Sequence, residues 1–248
     1  MTHFLELLTL QEFLLCFGVV VVGSIIQVSL GMGFGMLVSP IIALVKPEII
    51  PGAVMIMGLV VALSGAWRER RNIVEIELKL GTYGRIIGSS MALGLLLLIP
   101  NINVFLLTFG LLMLFAVLMT ASGMQLSFNN TNLFGLSVIA GVMGTITAVG
   151  APPMAIIYHD KPPAKVRPTL NAFFGIGSLV GLFSLYVSDW LHVDDLFAAI
   201  VLLPAMLLGI LIAEPFKSIP QVLLSRALLL LSGISSLALV LRGLDWVG

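Results

Sequence analysis

The chain is poor in charged residues. Only 10% of its 248 residues are charged, whereas 59% are hydrophobic, and the mean hydropathy is +1.16. A soluble domain carries about 25% charged residues, because its surface must face water. So few charges cannot cover a water-facing globule of this size, but they suffice for the ends of membrane-spanning segments. We therefore expect a multi-pass protein of a lipid bilayer.

Cysteine and several catalytic motifs are also scarce or missing. The single cysteine, Cys16, excludes an internal disulfide and a CxxC site, and we expect it to be buried among apolar residues. The sequence has no GxxxxGK[ST] phosphate loop and no HExxH motif. We predict that the protein is not an enzyme and has no catalytic residue, cofactor, metal site or nucleic-acid partner. The first ten residues contain no Lys or Arg, so we expect no cleaved signal peptide.

The apolar residues form continuous runs rather than an alternation of period two, which favours helices over the strands of a barrel. Most runs approach the roughly 20 residues that a spanning helix needs, but 34–45 and 152–159 are too short to cross alone. The sequence thus predicts an all-α polytopic membrane protein of 8–10 helical segments, two of them short pieces of broken helices. The segments are 11–30, 34–45, 50–67, 80–99, 103–122, 132–149, 152–159, 168–188, 196–214 and 221–242.

The chain reads as a duplication. Each half has a long apolar segment, a glycine-rich break, a short segment, a charged loop and three more long segments. We predict two transmembrane repeats, 1–125 and 126–248, joined by the polar link 127–132. Several residues recur at an offset of 117, and the register later slips by a few positions: Gly33 with Gly150, Pro51 with Pro168, Gly58 with Gly175, and then Ile99-Pro100 with Ile219-Pro220.

Lys and Arg in short loops predict the orientation of the segments. The cluster 68–71 should be cytoplasmic. If every segment crosses, the loop 161–167 and Lys217 are cytoplasmic too, the acidic loop 189–195 lies outside, and the two repeats are inverted; Lys46 is then the exception. If the two short segments instead return to the side from which they entered, the chain has eight spans in two parallel repeats. The loop 161–167 then lies outside, against the rule that basic loops are cytoplasmic. We favour the inverted arrangement.

The two breaks predict a binding site. A helix that starts inside a membrane leaves free N–H groups and a positive dipole end, which bind anions, and paired broken helices are typical of secondary transporters. The alternative is that these glycines only let helices pack closely, that Ser and Thr bond their own helix carbonyls, and that Asn171 makes an interhelical hydrogen bond. The predicted substrate-binding residues are Gln27, Gly31, Gly33, Phe34, Gly35, Ser39, Thr147, Gly150, Ala151, Pro152 and Asn171.

One basic residue falls within an apolar segment. Arg85 lies six positions beyond Lys79. Because a long basic side chain can extend to the membrane surface, we expect Arg85 to reach the cytoplasmic interface rather than to take part in an anion relay.

The glycine-rich run 31–35 followed by Pro40, together with Gly150-Ala151-Pro152-Pro153, resembles the sulfite exporter TauE/SafE family of membrane permeases. The resemblance covers nearly the whole chain, although Phe34 and Ala151 stand where family members typically carry glycine. It implies a secondary transporter in the bacterial inner membrane that exports a small anion such as sulfite, a sulfonate or sulfoacetate by alternating access around the breaks. A non-transporting membrane scaffold or assembly factor is the alternative.

Overall fold

A computed structural model of the chain describes residues 9–218 and 221–244. Within these ranges it has eleven α-helices and no β-strand, which confirms the all-α class. The expectation about the N-terminal residues and the pairing with Ile219-Pro220 lie largely outside the described residues. The helices are α1 (Leu10–Leu30), α2 (Phe34–Val45), α3 (Gly52–Arg68), α4 (Glu75–Leu96), α5 (Ile102–Ala121), α6 (Asn130–Thr147), α7 (Ala151–Tyr158), α8 (Pro163–Val187), α9 (Val193–Val201), α10 (Leu203–Ile212) and α11 (Gln221–Leu244).

By length and composition, three of the described helices can cross a membrane: α1, α5 and α8. Helices α9 and α10, bent by 47° at their junction, make a fourth if they form one span. Helices α2 and α3 and the stretch Ser232–Leu241 are apolar but shorter. Large apolar side chains such as Leu111, Leu179 and Ile234 are exposed in the middle of helices. Such surfaces suit contact with lipid, as in a membrane protein.

The helix boundaries differ from the apolar segments in three places. Helices α4 and α8 begin five residues before the predicted segments 80–99 and 168–188. The negative charges of Glu75 and Glu77 in the first turn of α4 interact favourably with the positive end of the helix dipole. Pro163 suits the first position of α8. The segment 196–214 is divided at Leu202, because Pro204 lacks the N–H that would continue α9 into α10.

Helix α2 folds back along α1. Gly23 of α1 lies against the side chains of Val38 and Phe34, and Ile26 packs in one small cluster with Leu37. Positions earlier in α1 therefore meet positions later in α2, which makes the two helices antiparallel neighbours. We call this pair, with its turn at 31–33, the first hairpin.

Helix α7 likewise returns towards the start of α6. The N–H of Leu126, in the link before α6, donates to the carbonyl of Ile156 at 3.3 Å. The Phe128 ring packs edge-on against the Tyr158 ring, with centroids 5.3 Å apart. We call α6 and α7, with the turn at 148–150, the second hairpin.

One end of the bundle carries the basic loops and is called the basic end. There Lys161 pairs with Glu77 at 3.2 Å, and Arg167 pairs with Glu69 at 3.6 Å. Both pairs join the predicted first half to the second, so the loops that the sequence assigned to one side of the membrane do lie together.

The opposite end, called the acidic end, holds the loop before α9. Trp190 stacks on Phe105 at the start of α5, with ring centroids 4.5 Å apart. The carboxylate of Asp195 accepts the N–H of His192 at 2.8 Å and lies against Gly52 in the first turn of α3. The starts of α3, α5 and α9 thus meet here.

Helix α4 packs one face against α6 and α8, and its other face is exposed. At Gly88 a Cβ atom would overlap the carbonyl of Val138, and at Gly84 it would lie 2.6 Å from the carbonyl oxygen of Phe134. Only glycine permits this approach of two helix backbones. The consequence is that the face of α4 that carries Arg85 lies in the interior, whereas Ile86 and Ile87 are exposed.

Candidate functional site

A small cavity lies where the first turns of α2 and α7 meet. Its volume is about 40 Å³, and one water needs about 10–15 Å³ on this measure, so it has room for a group of a few heavy atoms. Both predicted halves contribute to its wall. The lining residues are Gln27, Gly33, Phe34, Gly35, Met36, Val54, Met55, Gly58, Arg85, Gly144, Ala148, Val149, Gly150, Ala151, Phe174 and Ser178.

The turn of the first hairpin is held by the side chain of Gln27. Its Oε1 accepts the N–H of Phe34 at 3.2 Å, and its Nε2 donates to the carbonyl of Gly31 at 3.0 Å. One first-turn N–H of α2 is therefore satisfied within the protein. The N–H groups of Gly35 and Met36 have no carbonyl of their own helix to pair with, and both residues line the cavity.

The turn of the second hairpin has fewer donors to offer. Ala148 ends α6 in the left-handed conformation, with φ of +59°, and the N–H of Val149 donates to Thr147 Oγ1 at 3.1 Å. Pro152 and Pro153 have no N–H. Ala151 is left as the donor of the first turn of α7, and it lines the cavity.

The two hairpins touch each other beside the cavity. The backbone of Gly35 lies directly against the carbonyl of Ala148. Ser39 Oγ donates to the carbonyl of Thr147 at 2.5 Å. The predicted break of one half therefore meets that of the other.

The predicted site residues fall into two groups. Six line the cavity: Gln27, Gly33, Phe34, Gly35, Gly150 and Ala151. The other five lie close by but do not line it. Gly31 lies against the backbone of Arg167, Ser39 is hydrogen-bonded to Thr147, and Pro152 is buried in the first turn of α7. Asn171 Oδ1 accepts a hydrogen bond from Gln27 Nε2 at 3.0 Å. For Asn171 the structure has the interhelical hydrogen bond that was the alternative interpretation.

The expectation for Arg85 was wrong. Its side chain is 3% exposed and lines the cavity instead of extending to an interface. The physical reason is the close packing of α4 on α6 at Gly84 and Gly88. The spacing of these two glycines is the sequence signal that identifies the buried face of α4.

The guanidinium of Arg85 is enclosed by uncharged groups. Its Nη1 donates to the carbonyl of Ala140 at 2.5 Å, and its Cζ lies 5.6 Å from the centroid of the Phe173 ring. Its Nε is buried without a hydrogen-bond partner. Among the described residues, no carboxylate forms an ion pair with Arg85.

Three glycines make room for this guanidinium. A Cβ atom at Gly150 would lie 2.6 Å from Nη1 of Arg85. A Cβ atom at Gly144 or Gly177 would lie even closer to a nitrogen of the same guanidinium. These residues come from the second hairpin and from α8, whereas Arg85 comes from α4. No local motif reveals the arrangement, because three helices and the turn of the second hairpin supply it.

Comparisons with known proteins agree with the resemblance seen in the sequence. A family model described as sulfite exporter TauE/SafE matches residues 15–239, a stretch that includes both hairpin turns and Arg85. No curated protein and no solved structure matches the chain.

Proposed function

The chain belongs to the sulfite exporter TauE/SafE family of membrane transporters, and we propose that it is a secondary transporter of a small sulfur-containing or organic anion such as sulfite, a sulfonate or sulfoacetate. The observation that carries the proposal is the cavity between the two hairpins. It combines a buried cation, Arg85, with first-turn N–H groups of two helices, and such groups stabilise negative charge. None of the described residues that line it is acidic.

We propose further that 1–125 and 126–248 are inverted repeats. In support, Gly31 and Ala148 both end a helix in the left-handed conformation, and Gly33 and Gly150 are both the N-cap of the next helix. Each pair is separated by the offset of 117 seen in the sequence. Each hairpin returns to its starting side. Three helices then follow in each half, if α9 and α10 count as one, and we take all of them as membrane passes, although among the described residues only α5, α8 and the α9–α10 pair meet the length and composition of a span. An odd number of passes inverts the second repeat.

This arrangement assigns the basic end to the cytoplasm, because short loops rich in Lys and Arg remain inside. The first hairpin then enters from outside and the second from the cytoplasm, so that their turns meet within the bilayer. Non-helical backbone at that depth is tolerated where it lines a cavity. The orientation agrees with residence in a bacterial inner membrane.

Transport would follow from rocking of one repeat against the other around the bound anion, as in transporters with inverted repeats. The contacts that must rearrange are those between the hairpins. They include the backbone contact of Gly35 with Ala148 and the hydrogen bond from Ser39 to Thr147. The glycine turns therefore take part in the conformational change as well as in the binding site.

The test is flux of radiolabelled sulfite, or of a sulfonate, into proteoliposomes down an imposed gradient. Gly33→Leu and Gly150→Leu should stop flux while the protein still inserts, because Gly33 has φ of +113° and a side chain at Gly150 would meet Arg85. Gly18→Leu and Gly135→Leu are matched controls, since a Cβ at either position meets nothing within 4 Å.

Normal flux in both turn variants would remove the breaks from the mechanism. Absence of flux and of anion binding in the wild-type protein, together with co-purification of one stoichiometric partner, would favour the scaffold alternative.

A further inference from the structure

We propose that Arg85 is the residue that contacts the transported ion, and that it selects oxyanions able to place two oxygen atoms along one edge of its guanidinium. This inference rests on the proposed transport function and names the chemistry of its substrate. On this proposal, the substrate is the counter-ion that the buried guanidinium lacks among the described residues.

The guanidinium of Arg85 is a buried charge. Arginine remains protonated in proteins, and a buried charge is strongly unfavourable unless it is paired and hydrogen-bonded. Arg85 is 3% exposed, and the described part of the chain gives it no carboxylate partner. An anion in the adjoining cavity supplies the missing charge.

The donors of Arg85 define the shape of that anion. A guanidinium has five N–H donors in a planar fork, and the only hydrogen bond it makes to the described residues uses Nη1, which donates to the carbonyl of Ala140. The Nε donor is buried and unpaired. An edge with two parallel N–H groups matches two oxygens of a carboxylate, sulfite or sulfonate, and a lysine ammonium does not reproduce this fork.

The orientation of the guanidinium is fixed by its surroundings. Gly144, Gly150 and Gly177 lie so close that no side chain fits at any of the three positions without displacing it. The ring of Phe173 lies beside it. A cation held in one plane distinguishes ions by geometry as well as by charge, as preorganised sites do.

The size of the cavity limits which oxyanions can bind. About 40 Å³ holds the equivalent of a few waters, at about 10–15 Å³ each. A compact oxyanion such as sulfite, with one central atom and three oxygens, fits this space. A longer sulfonate requires the cavity to widen. We therefore infer that a compact oxyanion of the sulfite type binds most tightly in this conformation.

The experiment compares ion binding by detergent-purified full-length protein and three variants, by thermal shift and by titration calorimetry, with sulfite, selenite and chloride at equal ionic strength. Wild type should be stabilised by sulfite and selenite but not by chloride, since a ligand that binds only the folded state raises the melting temperature. Arg85→Lys should weaken binding by at least about tenfold through loss of the bidentate contact. Arg85→Met should show no binding, and Lys79→Met, which removes an exposed cation of the same helix, should bind like wild type.

The outcomes separate the two proposals. If Arg85→Lys binds sulfite as tightly as wild type, the proposed bidentate contact between the guanidinium and two oxygens is wrong. If Arg85→Met binds and transports normally, Arg85 is not the subsite, although the transport function stands. If wild type neither binds nor moves these ions or the sulfonate of the flux assay, the proposed function fails as well. If Arg85→Met does not fold, Gly177→Ala is a second variant, which displaces Nε of Arg85 without removing the charge. Gly94→Ala is its control, because a Cβ atom there meets nothing within 4 Å. Equal affinity for sulfite in these two variants would also overturn the proposal.

Discussion

The backbone of Gly35, in the first turn of α2, lies directly against the carbonyl oxygen of Ala148, the residue that ends α6. This contact joins the two hairpins beside the cavity, so each turn helps to position the other. It is a contact of backbone with backbone, and no rotamer change can relieve a side chain placed there.

Gly35→Ala should therefore separate the two turns. Overpacking typically costs about 1–3 kcal/mol, so we expect a lower melting temperature in detergent and sulfite flux near the background of empty liposomes. Gly18→Ala, on an open face of α1, should retain both. Wild-type flux in Gly35→Ala would show that the contact has no part in transport.

The hydrogen bond from Gln27 Nε2 to Asn171 Oδ1, at 3.0 Å, links α1 to α8 across the predicted halves. A double-mutant cycle of Gln27→Leu and Asn171→Leu should give a coupling free energy of about 0.5–1.5 kcal/mol. Unfolding in SDS measures it. A coupling near zero would mean that the two amides act independently, Gln27 serving only to cap the turn of its own hairpin.

The ion pair of Lys161 with Glu77 should contribute less. The side chains are 34% and 15% exposed, and partly exposed pairs are worth about 0–1 kcal/mol. We expect Glu77→Gln to lower the melting temperature slightly, by an amount that shrinks as salt rises. Lys161 also lies 3.7 Å from the centroid of the Phe128 ring, so Lys161→Gln should cost more than Glu77→Gln; the reverse order would contradict this account.

Asp195 serves two helices at the acidic end. It accepts the N–H of His192 in the turn before α9 and lies against the first turn of α3 at Gly52. Asp195→Ala should cost about 0.5–2 kcal/mol, as loss of a capping residue does. Asp195→Asn keeps one acceptor oxygen and should cost less. Thermal unfolding of both variants is the measurement, and equal losses would show that the negative charge, rather than the hydrogen bond, matters there.

Much of the fold could be predicted from the sequence, because in lipid every backbone group must be paired and apolar runs become helices. The short lengths of 34–45 and 152–159 identified α2 and α7. The sequence did not show that these helices fold back along α1 and α6, since that depends on contacts such as Gly23 with Val38. Nor did hydropathy reveal the bend at Leu202, where α9 and α10 meet.

The turns of the candidate site and the side chain of Gln27 could be predicted from the sequence, but its buried cation could not. Glycine and proline punctuate the sequence visibly, and Gly33, Gly35 and Gly150 do line the cavity. Arg85 was misjudged because its distance from Lys79 along the chain suggested reach to the surface, whereas burial is decided by the helix that packs against it. Tertiary packing of α4 on α6 overrode the local expectation.

The most direct measurement is the anomalous scattering of selenium in crystals of the full-length protein grown with selenite, an analogue of sulfite. The account predicts one strong peak in the cavity between the hairpin turns, within hydrogen-bonding distance of the guanidinium of Arg85. A peak only at the arginine cluster 68–71 of the basic end, or none in the cavity at saturating selenite, would contradict it.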